Sequence, residues 1–228
     1  MAAALERERG VPQGPGDTFS GYIVLGVPFR SGDALALRRF PASSTGHGYT
    51  SVWHRSPEGD WTFYADVPAD QGCSRYFAPG VSETVVAPIR LEWTGPRSLT
   101  VAVDGGRLLA WTLALSPTPS TVLANRLACC LPATWWTNVP ALRVMEIAAR
   151  LLLGAGRVCL SGVTPGGNHF LASPRVVWAV AASRATLLGR DLGPVGPITP
   201  QPALGDVRIP RRGLFAFGSA SMLTPPSR

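Results

Sequence analysis

Residues 89–115 constrain the fold more than any other stretch. Ile89, Leu91 and Trp93 alternate with Arg90, Glu92 and Thr94, and Leu99, Val101 and Val103 with Ser98, Thr100 and Ala102. A period of two puts the apolar set on one face of a strand and the polar set on the other. Gly95-Pro96-Arg97 as a three-residue loop sets Trp93 opposite Leu99 and Leu91 opposite Val101. Asp104-Gly105-Gly106, used the same way, sets Val101 opposite Leu109 and Leu99 opposite Trp111. Odd loops keep the large side chains on one face, where two-residue turns would split them. Three antiparallel strands with a shared apolar face are predicted.

A second hairpin, TSVWHRSPEGDWTFYADV at 50–67, carries aromatic residues on both faces. With Pro57, Glu58, Gly59 and Asp60 as the loop, one face holds Val52, His54, Trp61, Phe63 and Ala65. The other then holds Ser51, Trp53, Arg55, Thr62, Tyr64 and Asp66. An odd loop would change the pairing but leave aromatics on both sides. A sheet with one face in water alternates more cleanly than this. The mixed face suits a wall around a ligand cavity.

Further strands are predicted at 21–29, 33–40, 157–162, 169–172, 175–180, 185–188 and 214–222. The last, with small residues such as Gly218 and Ala220, is expected to pair with the first and close a barrel. Between the two β blocks the pattern changes. Pro117 and Pro119 end a strand, Ser120 is a candidate cap for a helix to about 131, and a second helix covers 141–153 before Gly154. Its polar positions, Arg143, Glu146 and Arg150, form one narrow stripe, read as an edge in water with a Glu146–Arg150 pair. Residues 189–210, rich in Pro and Gly, are read as a long ordered loop. The fold class is therefore mainly β: an antiparallel closed or nearly closed β-barrel with a two-helix insert at about 120–153. One domain spans 19–228 behind a flexible lead at 1–18.

Composition narrows the function. The chain of 228 residues is 46% hydrophobic and 15% charged, which suits a globular domain. All 21 basic residues are arginine, which excludes Schiff-base chemistry on a lysine and lysine-bearing phosphate loops. Residues 1–116 carry a net −1 and 117–228 a net +8, but the arginines are scattered and no RNA-recognition motif occurs, so no nucleic-acid partner is expected. The opening residues have no apolar core of a signal peptide, and no apolar run is long enough to span a membrane, so a soluble cytoplasmic protein is expected. Cys73, Cys129, Cys130 and Cys159 make no CxxC pair and are expected reduced and mostly buried. His47, His54 and His169 lack ligand spacing, so no metal is expected, and no cofactor motif appears.

The WHRSPEGDWTFY hairpin, the IRLEWTGPRSLTVAVDGG meander and TPGGNHF before the strand ending at Trp178 resemble lipocalin-like (calycin) proteins of the hydroxyneurosporene synthase and AttH group. The resemblance covers about two-thirds of the chain, and the insert at 120–153 lies outside it. It implies a barrel with an apolar interior and, for some members, hydration of an isoprenoid double bond. No catalytic residue carries across position by position.

No GxSxG, HExxH or dinucleotide fingerprint occurs. Two readings remain. The first is a barrel that binds a hydrophobic small molecule such as an isoprenoid, polyketide or lipid. Its wall would draw on Trp53, Trp61, Phe63, Tyr64, Trp93 and Trp111, with Asn168 and His169 at the mouth. The second is a cofactor-independent hydratase, cyclase or isomerase on a similar substrate, with His54 or Asp66 supplying a proton inside an aromatic cage. Each aromatic also fits ordinary core, Asp66 a turn, and Asn168 turn chemistry alone. A carboxylate or histidine beside the cavity would favour the enzyme, and a purely apolar lining the binder.

Overall fold

A computed structural model describes residues 16–46 and 48–224; positions 1–15 of the lead expected at 1–18, His47 and residues 225–228 lie outside the described residues. One curled sheet dominates. Its path is β5 (Glu83–Val86), β4 (Trp61–Ala65), β3 (Tyr49–Arg55), β2 (Ala34–Ser43), β1 (Asp17–Pro28), β14 (Leu214–Leu223), β10 (His169–Leu187), β8 (Leu109–Ser116), β7 (Ser98–Val103) and β6 (Ile89–Gly95). Two short strands, β9 (Ser161–Val163) and β11 (Arg190–Asp191), also pair with β10. Another pair, β12 (Ala203–Leu204) and β13 (Val207–Arg208), stands apart.

The barrel is open, not closed. β14 does pair with β1, but in the middle of the sheet, with β10 on its other side. The free edges are β5 and β6, joined by Ala87-Pro88 with no ladder between them. Pro88 has no N–H to give, and its carbonyl accepts from Asp104 instead.

Curling brings both ends of the sheet together on the inside, where Tyr64 from β4 and Val52 from β3 join Val101, Trp111 and Leu113 in one buried cluster. The interior expected to hold a guest is therefore filled by side chains. Trp111 is fully buried, and its indole N–H donates to Ser183 Oγ at 2.8 Å. On the outer face, β6 to β8 alternate with solvent-facing residues. The outer face of β1 to β4, β14 and the start of β10 is covered instead, by residues 69–80, the 196–210 segment and two helices.

The loops explain where the predicted registers hold. Leu91 pairs with Val101 and Trp93 with Leu99 as the loop length predicts, the register slipping at Thr94. The next turn is two residues longer than predicted: Val103 pairs with Leu109, and Val101 with Trp111 rather than Leu109. Asp104, Gly105 and Gly106 all have positive φ, and Leu108 N–H closes on Val103. An even shift preserves the apolar face. In the 50–67 hairpin the loop is Pro57-Glu58-Gly59, closed by Ser56 N–H on Asp60, with Gly59 at φ 109°. Trp53 thus faces the same way as Phe63 and Trp61, and His54 the same way as Thr62 and Tyr64.

The expected strands at 169–172, 175–180 and 185–188 are one strand, β10. Pro174 is accommodated where the pairing with β14 slips. Gly218 lies between Gly21 and Pro174 in that ladder. A Cβ there would come within 2.2 Å of the Ser173 carbonyl oxygen and 2.9 Å of Pro174 Cα. Backbone atoms cannot swing aside, so Gly218→Ala is expected to cost about 1–3 kcal/mol by urea unfolding; a cost near zero would contradict this packing.

The helices are α1 (Pro119–Cys129) and α2 (Val139–Leu153). Thr118, not Ser120, caps α1 through a reciprocal pair with Thr121. Asn138 caps α2, and Gly154 ends it at φ 59°. Glu146 does not pair with Arg150. Its Oε1 accepts from the N–H groups of Leu160 (2.6 Å) and Ser161 (3.0 Å); of the strand predicted at 157–162 only 161–162 are strand, within β9. The narrow polar stripe is also overturned, since Val144, Ile147 and Leu151 are exposed on α2. No described helix is long and apolar enough to cross a membrane. The four cysteines form no disulfide, and Cys129 and Cys130 are exposed rather than buried.

Candidate functional site

A cavity of about 490 Å3 lies between the outer face of the sheet and the two helices. Its floor comes from alternate residues of paired strands: Phe19, Gly21 and Ile23 of β1, Ala216, Gly218 and Ala220 of β14, and Ala172 and Pro174 of β10. Ala124, Leu127 and Ala128 of α1 and Met145, Ala149 and Leu152 of α2 form the roof, with Trp135 and Trp136 from the link between the helices. Small residues on both layers leave the space that larger ones would fill. Leu127, Trp135 and Val144 both line the cavity and are exposed, which marks where it meets solvent.

Where the Glu146 carboxylate ties α2 to Leu160 and Ser161, α1 is fastened to β10 by an amide. Asn125 Nδ2 donates to the Val177 carbonyl at 3.0 Å, and Asn125 Oδ1 accepts from Val177 N–H at 2.8 Å. Val177 has β14 on one side only; β8 reaches β10 from Ala179 onward and β9 stops at Leu171. The side chain thus takes the place of a missing strand.

Arg38 enters the lining from β2 and is only 7% exposed. Its Nη1 donates to the carbonyls of Val24 and Leu37, both at 3.0 Å. The guanidinium stands 4.2 Å from the centre of the Trp53 ring, and Phe63 stacks on that indole at 4.2 Å. Two weak acids lie nearby. Tyr49 OH accepts from Cys73 N–H at 2.9 Å, and burial pushes the phenol well above its usual range and the Cys73 thiol up as well. Both are neutral at physiological pH, so neither balances Arg38. Arg208 of β13 also lines the cavity, and its Nε has no hydrogen-bond partner among the described residues. No Asp, Glu or His is among the lining residues.

Of the candidate catalytic and ligand-binding residues predicted from the sequence, only Trp53 lines this cavity. Phe63 and Trp61 are buried on the same face of the hairpin, Phe63 beneath Trp53. Tyr64, Trp93 and Trp111 belong to the inner cluster, and Trp93 Nε1 has no hydrogen-bond partner among the described residues. His54 Nε2 is 2.8 Å from Asp33 Oδ1, away from the cavity. Asp33 is fully buried and also takes a two-pronged contact from Arg190, both arms at 2.9 Å. Asp66 is exposed and accepts from Thr50 N–H at 2.7 Å. His169 is exposed, while Asn168 closes a turn with Thr164. Among the described residues, no cluster of three or more His, Cys, Asp or Glu could hold a metal.

Arg38 is not among the residues predicted from the sequence, yet the sequence carries a signal for it. In ALALRRFP the two-residue period puts Arg38 on the face of Ala34, Ala36 and Phe40, a cation in an apolar row.

No family model and no curated protein matches the chain. Among solved structures, it is similar to acetoacetate decarboxylase from Legionella pneumophila (TM-score 0.40, 11% identity, 93% of this chain and 86% of that one). A second acetoacetate decarboxylase structure gives a TM-score of 0.43 and 11% identity over 96% and 93% of the two chains. No residue correspondence follows at that degree of likeness.

Proposed function

We propose that the protein binds an apolar small molecule in the cavity between sheet and helices. The carrying observation is a space of about 490 Å3, within the range of ligand pockets, floored by small residues and roofed by apolar helix faces. The site is not the barrel interior of the lipocalin-like expectation but the covered outer face. With no acid or histidine in the lining and with His54 and Asp66 elsewhere, binding is better supported than proton-transfer catalysis.

The test is saturable uptake of a neutral naphthylamine dye, followed by fluorescence. Ala220 is half-buried in the floor, so Ala220→Trp fills space without disturbing the inner cluster. It should weaken uptake by about tenfold or more while the protein stays folded by circular dichroism. Unsaturable uptake, or equal uptake by the folded variant, would reject the cavity as the site.

A further inference from the structure

We propose that the ligand is an apolar molecule ending in a single carboxylate, and that Arg38 is the residue that holds it; this rests on the cavity being the binding site. Arg38 takes part in none of the ion pairs His54–Asp33, Arg75–Asp17 and Arg190–Asp33. A cation so deeply buried is costly without a counter-charge. Two backbone carbonyls and the Trp53 ring offset part of that cost, but they are neutral.

The pattern of used and unused donors points to the missing partner. Both carbonyls are served by Nη1. Nε and Nη2 make no hydrogen bond among the described residues, and together they form the flat two-donor edge that matches the two oxygens of a carboxylate. One carboxylate balances Arg38 charge for charge. Arg208, the second guanidinium of the lining, adds positive charge; Glu146 and Asp206 act on the wall at Cys159, but neither is among the lining residues. The tail would then lie along Gly218, Ala220 and the α2 face.

Displacement of the neutral naphthylamine dye by dodecanoate and by dodecanol, on the full chain near about pH 8 where the acid is ionised, separates the possibilities. Dodecanoate should displace it at about tenfold lower concentration than dodecanol, the factor a charge-assisted pair supplies. Arg38→Met should remove that preference by weakening dodecanoate, with dodecanol changed less than about twofold. Arg38→Lys, which keeps the charge but loses the flat edge, should fall between them. If acid and alcohol displace the dye equally from the unmodified protein, the carboxylate proposal fails and the apolar site stands. If neither displaces a bound dye, or no dye binds, the cavity reading fails with it. The comparison on the unmodified chain decides the matter even if a variant does not fold.

Discussion

Asp33→Ala is expected to cost about 3 kcal/mol of folding stability, at the low end for breaking a buried ion pair because Arg190 keeps a hydrated side. Asp33 joins three parts of the chain: its own turn before β2, His54 on β3 and Arg190 on β11. Burial alone would raise its pKa. The Arg190 fork, with His54 and Ser31, outweighs burial and holds the carboxyl at about 2, against 3.8 when free. A group whose folded pKa is depressed stabilises fully above its unfolded pKa and loses that contribution as pH falls. The contribution, roughly 2 kcal/mol, should therefore disappear between about pH 4 and pH 2. Urea unfolding across that range should show an acid limb that Asp33→Asn flattens. An unchanged limb in the variant would mean that this carboxylate is not what acid titrates.

Trp111→Ala should be equally damaging, by about 3–5 kcal/mol, because it empties the centre of the packed interior and strands Ser183. The same substitution should leave uptake by the outer cavity within about twofold, in conditions where the variant is folded, since the two sites share no residue at that position. This pairing of results distinguishes core from ligand wall. Trp111 was a candidate ligand contact in the sequence, and strong loss of uptake in a folded variant would restore it to that role.

The strands were legible because alternation and odd loops determine which side chains share a face. The Leu91–Val101 register follows from Gly95-Pro96-Arg97 alone, and the mis-set Asp104 turn was harmless because it slipped by an even number. Which face is hollow was not legible. Trp53 and Trp111 look alike in sequence, yet one faces a gap and the other a filled interior. That difference depends on what covers each face, and the cover comes from helices far along the chain. The small residues Gly218 and Ala220 mark a strand expected to close a barrel; Gly218 is indeed held by close backbone contact, but Ala216 and Ala220, facing Ala124, Ala128 and Ala149, also leave room above the sheet. Sheet closure was unreadable for a similar reason. Pairing between Leu214–Leu223 and the first strand suited a closed ring and an open sheet equally.

The amide at position 125 has an effect beyond holding a helix in place. A bare Val177, with its donor and acceptor both pointing outward between the ends of β8 and β9, would offer any passing extended chain a place to dock. Asn125 occupies that place from within the molecule, as a one-residue plug. The same contact that ties α1 over the cavity thus also covers an open stretch of strand backbone on β10.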